Sequence, residues 1–257
     1  MHKIIPLLLL YLTVSGCAFF KEAVDPAEGW TVERLYTEAK RARENSNYTR
    51  AVELYEFLET RFPFGVYGQQ ALLDLAFVYY KTGDHESALS TCDRFIRLYP
   101  QNEHVDYAYY LQGLVNFYQH SRPTDRLFPA DMSERDIASA RNAFQNFGEL
   151  LNRFPTSTYA SDSSIRMVYL RNMLAQHDIH VAQYYLRRGA YVAAVNRAKN
   201  VVENFEKTPS VPDALVILAK AYRIMGMEDL STDAIRVLEL NYPNHPGISE
   251  ARRIVLN

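Results

Sequence analysis

Two cysteines, Cys17 and Cys92, are all that the 257 residues contain. At most one disulfide can form within the chain, and none if either sulfur is used otherwise. Excess charge of one sign is also lacking: 28 Lys and Arg stand against 30 Asp and Glu, a net of −2. That balance excludes the electrostatic footprint of a nucleic-acid binder and a polybasic membrane-binding surface. The apolar run Ile4 to Val14 falls well short of the roughly 20 residues that span a bilayer as a helix. The P-loop, GxSxG and HExxH patterns are absent, and with them the commonest signatures of phosphate, acyl and zinc chemistry. Carboxylates are plentiful, but the solvated face of any helical array carries them. His177-x-x-His180 places two imidazoles on one helix face without an acidic or cysteine ligand at a recognisable metal spacing, which favours surface or packing histidines. The expectation is a protein that is not an enzyme and uses no cofactor or metal.

What is present is a repeat. In Tyr67 to Pro100, the apolar residues Leu72, Leu75, Ala76 and Tyr79 recur at helical spacing, Gly83-Asp84 breaks the pattern, and Ala88, Phe95 and Leu98 mark a second helix ended by Pro100. A pair of short helices cannot bury both faces alone and needs copies on either side. The small residue Ala76, the aromatic Tyr79 and a second small residue twelve positions on, Ala88, follow the tetratricopeptide (TPR) pattern. Stepping 37 residues back gives Ala39 and Ala51; stepping 37 forward gives Gly113. Ala182 with Ala194, and Ala219 with Ser231, complete the series. Aromatic-proline stops close four units at Phe62, Tyr99, Phe154 and Tyr242, whereas the fourth unit has Phe205-Glu206. The predicted fold is all-α, an α-solenoid of five TPR helix-turn-helix repeats.

Two irregularities interrupt it. Gly113 to Ala143 is 30 residues where the other units have 12, so about 18 residues, roughly His120 to Arg135, form an inserted surface loop. A further gap before the fourth repeat is filled by Ser161 to Gln176, whose periodicity and Ser/Asp start predict a long helix leading into that repeat. At the other end, Met1 to Gly16 has a positive start, a short apolar run and the sequence Val14-Ser15-Gly16-Cys17, which resembles a bacterial lipobox. Ala18 replaces the aspartate that retains such lipoproteins at the inner membrane, so the resemblance implies an outer-membrane anchor facing the periplasm. The expected organisation is 1–16 signal peptide, 17–30 lipidated Cys17 and tether, 31–160 the first three repeats, and 161–257 the last two. With Cys17 lipidated, Cys92 is expected to be a buried structural thiol.

The first helix of each TPR pair lines the concave side. Counting from each small residue, the outward positions are Tyr36, Lys40 and Arg43 in repeat one and Leu73, Phe77 and Tyr80 in repeat two. In repeat three they are Tyr110, Leu114 and Phe117, with Tyr107 one turn earlier. This set describes an aromatic trough with a cationic end, suited to an extended peptide with aromatic side chains and a carboxylate. The alternative is that the same rings are inter-repeat core.

RFPFGVYGQQ (Arg61 to Gln70), LDLAFVYYK, DRFIRLYP, YLQGLVNFY, DMSERDIASARNAF (Asp131 to Phe144), NRFPTSTYASD and VAQYYLRRGAYVAAVNR (Val181 to Arg197) resemble the BamD (ComL-type) family. These are not generic TPR positions, and the likeness runs from the lipobox to about Tyr222. It implies a non-catalytic lipoprotein scaffold of the β-barrel assembly machinery. Its implied partners are a POTRA domain of the barrel protein BamA, the lipoproteins BamC and BamE, and unfolded outer-membrane barrel clients recognised through their C-terminal signal. The family's C-terminal repeats contact BamA, and the arginine of its VNR motif falls on Arg197, with Tyr184, Tyr185, Arg187 and Arg188 nearby. Two other readings remain open at this stage: a structural organiser of BamA that does not itself bind clients, and another cell-envelope TPR adaptor.

Overall fold

The computed structural model describes residues 26–119 and 137–253. Every regular element among them is helical. After a 3-10 turn at Pro26–Gly29 come α1 (Val32–Glu44), α2 (Tyr48–Arg61), α3 (Val66–Thr82), α4 (His85–Leu98), α5 (Val105–Tyr118) and α6 (Ala138–Arg153). Then follow α7 (Ala160–Arg187), α8 (Tyr191–Asn204), α9 (Val211–Ile224), α10 (Glu228–Asn241) and α11 (Gly247–Arg252). The signal segment, Cys17, most of the tether and the expected insertion His120 to Arg135 lie outside the described residues.

The first ten helices form the five expected pairs, and local chemistry sets their ends. Gly83 takes φ +80, and the Asp84 side chain then accepts the Ser87 amide at 3.1 Å to cap α4. Phe62, Tyr99, Phe154 and Tyr242 are the C-caps of α2, α4, α6 and α10, with φ between −131 and −136. A following proline disfavours the helical region at the residue before it, and each of these residues leaves that region. Phe205 ends α8 at φ −121 without one, so burial of the ring against the C-terminal core, not the proline alone, marks the stop.

The small positions are where helix backbones approach. Ala39, Ala51, Ala76, Ala88, Ala143, Ala182, Ala194, Ala219 and Ser231 have no exposed surface. A Cβ added at Gly113 would stand 2.4 Å from the Phe147 ring of α6, and Ser231 Oγ donates to the Ala219 carbonyl at 2.8 Å across the α9–α10 contact. Cys92 is fully buried beside Ala76, Ala88, Leu111 and Val115, and burial pushes its thiol pKa up. It is a packing residue.

The chain divides into two compact units within α3, one ending at Ala71 and the other starting at Leu72. In the first, α1 packs on α2 and buries Leu35, Leu54, Tyr55 and Leu58. In the second, each helix from α5 to α10 packs on the next, and α11 covers α9 and α10. Across residue 160, α6 and α7 share a core of Ala143, Phe147, Leu170 and Leu174.

The long helix into the fourth repeat is α7, 28 residues. Its expected Ser/Asp cap does not form. Tyr159 is the N-cap and makes no side-chain cap bond, because Asp162, already inside the first turn, is drawn to Tyr110 and Arg166 instead. The short helix α11 was not anticipated from the repeat pattern. It seats tightly, since a Cβ on Gly247 would lie 2.5 Å from Val216 of α9.

Candidate functional site

In the second unit the predicted trough residues occupy α3 and α5, the first helices of their pairs. Leu73 does not line an open surface: it is 2% exposed and packs with Phe95, Val105 and Tyr109. The phase that aims Phe77 and Tyr80 outward turns Leu73, one turn earlier, into the α3–α5 core. Phe77, Tyr80, Tyr107, Tyr110 and Phe117 are half-buried, each with one side in a core cluster. Each ring therefore contributes to the core and keeps part of its surface in solvent.

The rings form a connected series. Phe77 lies 6.4 Å from Tyr80, Tyr80 6.3 Å from Tyr118, and Phe117 5.2 Å from Tyr118 and 5.7 Å from Tyr169. Toward the start of α5, Tyr159 stacks on Tyr110 at 4.6 Å and lies 5.4 Å from Tyr107. At the centre stands Arg166, its guanidinium 4.8 Å over Phe117 and 5.4 Å over Tyr118, a cation–π arrangement. Arg166 Nε donates to Asp162 at 2.5 Å, Nη1 donates to the Tyr118 hydroxyl at 3.3 Å, and Tyr110 donates its own hydroxyl to Asp162 at 2.8 Å. Burial pushes the Tyr110 phenol up to about 12, with the Asp162 carboxylate adding to the effect. Burial and the neighbouring Tyr118 likewise raise Tyr80, against the opposing charge of Arg166.

Asp162, Arg166, Tyr118, Tyr159 and Tyr169 were not among the sequence-predicted residues. The extra residues before the fourth repeat put the first turns of α7, well ahead of Ala182, outside any count made from a small residue. The signal that does exist is an exposed stripe on α7, Ile165, Val168 and Tyr169 at i, i+3 and i+4, each more than half exposed. In the first unit, Tyr36 is half-buried, with its ring 5.4 Å from Tyr67 and 6.3 Å from Tyr55, while Lys40 is exposed and Arg43 half-buried.

The arginine-rich set lies on α7 and α8. Tyr184 is exposed, its ring 5.8 Å from Tyr185 and under the Arg188 guanidinium at 5.4 Å. Arg187 and Arg188 are exposed at the end of α7. Arg197 donates from Nη1 to Asp178 at 3.0 Å. With Tyr185, Ala193, Asn196 and Asn200 it lines a cleft of about 390 Å³. His180 faces Gln176 at 3.1 Å, and among the described residues no three His, Cys, Asp or Glu side chains are grouped to hold a metal ion. Among them, too, no helix is long and apolar enough to cross a membrane.

Stacked helical pairs of this length and phase define a tetratricopeptide scaffold. Residues 29–238 match the model of the YfiO family, described as outer membrane lipoprotein, and the chain belongs to that family. It is 43% identical to the outer membrane protein assembly factor BamD of Neisseria gonorrhoeae over 98% of this chain and 95% of that one. It is 36% identical to the protein of the same name from Xylella fastidiosa strain Temecula1, over 96% and 84% of the two chains. Among solved structures, the TPR domain of P58(IPK) aligns with 86% of this chain and 63% of its own at 15% identity and a TM-score of 0.42, too distant a likeness to bear on function.

Proposed function

We propose that this chain is an outer membrane protein assembly factor: a non-catalytic scaffold of the machinery that folds and inserts β-barrel proteins. Likeness over nearly the whole chain to relatives bearing that description carries the reading. Residues 1–16 are removed as a signal peptide, and lipid on Cys17 holds residues 17–30 and the repeats at the outer membrane, facing the periplasm. Two acyl chains make a durable anchor, since each buried methylene contributes about 0.8 kcal/mol.

The repeats divide the work. Residues 31–160, joined by the first turns of α7, take the client's C-terminal signal, and residues 161–257 hold a POTRA domain of BamA through Tyr184, Tyr185, Arg187, Arg188 and Arg197. BamC and BamE complete the set of partners. The ring series around Arg166 supports the client side, because aromatic faces supply contact area at low entropy cost. Bringing client and barrel partner onto one scaffold raises their effective concentration without new chemistry.

Affinity purification from native outer membranes in mild detergent tests the assignment. A BamA-like barrel protein is expected in the eluate, together with an acylated N-terminal peptide from Cys17. Cell-wall factors without a barrel protein would refute it. Serine at Tyr118 and Tyr169, with alanine at Phe77, is expected to weaken binding of a client C-terminal peptide while leaving BamA association intact. The half-burial of the rings supports a second reading, in which they are structural and the scaffold only organises BamA. Under that reading charge reversal at Arg197 disables assembly while the ring variants assemble normally.

A further inference from the structure

Asp178 is a carboxylate in the interior of α7, 4% exposed. A charge so buried persists only where partners satisfy it, and here both oxygens are used. Oδ1 accepts from Arg197 Nη1 at 3.0 Å, and Oδ2 accepts from Asn200 Nδ2 at 2.5 Å. Arg197 and Asn200 stand three residues apart, on one face of α8. Asn204 Nδ2 in turn donates to Asn200 Oδ1 at 2.8 Å, which fixes the way the Asn200 amide points.

The Arg197 side chain is nevertheless 45% exposed. Its Nη1 group is spent on Asp178, and among the described residues its Nε–Nη2 edge has no partner. A free surface arginine would lose rotamer freedom on docking. One tethered through Nη1 has lost part of that freedom already, and its remaining edge offers two parallel donors in a fixed plane. Asn196 and Asn200 on α8 and Tyr185 on α7 line the same cleft.

We propose that Asp178 is the positioning residue of this docking surface, holding Arg197 from the core side so that its Nε–Nη2 edge is presented ready-oriented to the partner. The proposal rests on the reading above, that Arg197 contacts BamA. Lysine at 197 would keep the charge and lose the planar edge. Asparagine at 178 would keep the volume and lose the charge that fixes the guanidinium.

The test is a double-mutant cycle on the full chain, measuring affinity for the purified POTRA domains of BamA and thermal stability in parallel. Asp178→Asn is expected to weaken binding about tenfold when Arg197 is present and less than about twofold in an Arg197→Met background. Its effect on the melting temperature should differ between the two backgrounds, because the buried Asp178 charge keeps its Arg197 partner in one and loses it in the other. Binding is therefore compared between variants that remain folded at the assay temperature. Arg197→Lys is expected to lose about tenfold with Asp178 intact, a readout that needs no change at position 178. Equal losses from Asp178→Asn in both backgrounds would make Asp178 a purely structural residue and overturn the proposal, as would wild-type affinity in Arg197→Lys. Wild-type affinity in Arg197→Met would remove the docking role of Arg197 itself, and the positioning role with it.

Discussion

Asp162 stays ionised despite its surroundings. Burial alone would raise its pKa, but hydrogen bonds from Arg166 and Tyr110 and the Arg166 charge outweigh it and hold the carboxyl below its ordinary 3.8. A depressed folded-state pKa contributes stability that is complete above 3.8 and is lost as pH falls through the lower folded value. Asp162→Asn removes that titration. Melting temperatures followed from pH 5 downward should therefore fall less steeply for the variant than for the wild type; parallel curves would mean that the pair contributes nothing. Tyr110 has the opposite sign. Its phenol, pushed up to about 12, favours the protonated fold, a contribution present below the unfolded phenol pKa of 10.0 and lost as pH rises toward 12. Asp162, Arg166 and Tyr110, which tie α5 to α7, thus also set how the aromatic surface answers to pH.

Among the helices, the two glycines of the α5–α6 pair separate close approach from mere tolerance. Gly113 faces the Phe147 ring so closely that a Cβ has no room, whereas a Cβ on Gly148 would meet only Met167 Cε at 3.6 Å. Gly113→Ala is expected to destabilise the chain by about 1–3 kcal/mol through overpacking. Gly148→Ala is expected to stabilise it by about 0.5–1 kcal/mol, because alanine loses less backbone freedom in a helix. Chemical denaturation of the two variants gives the answer directly. Similar shifts of the same sign would show that helix propensity, not the approach of α5 to α6, dominates at both sites. The repeat pattern marked Gly113 as a small position and left Gly148 unmarked, and the physical contrast follows that distinction.

For the molecule as a whole, the proposed function puts attachment and recognition on separate parts of the chain. A net charge of −2 offers no electrostatic hold on an anionic membrane, and the proposed function places the anchor on Cys17. Cys17→Ser is expected to move the protein from the outer-membrane fraction to the soluble periplasmic fraction, read by fractionation and blotting, while its purified POTRA affinity stays unchanged. Retention of the unlipidated chain at the membrane in cells lacking BamA would show a second attachment. Retention only where BamA is present would show that the docking surface suffices to hold it.

The sequence by itself determined the helical pairs, their phase and most of their ends, because each is local: small residues 37 positions apart within repeats one to three and again from four to five, an Asp84 cap after Gly83, an aromatic stop before proline. It also determined the family, and it singled out Phe77, Tyr80, Tyr110, Phe117 and Arg197. Tertiary structure decided which side of each ring is spent. Leu73 turned inward, and the outward rings proved half-buried because successive repeats must close over one another. Only the fold could bring α7 beside α5, so Arg166 and Asp162, some 50 residues from the rings they touch, had no signature in the repeat count. Asp178 was equally hidden: as one acidic residue between two histidines it reads as surface, and it becomes a buried anchor only once α8 lays Arg197 and Asn200 against it.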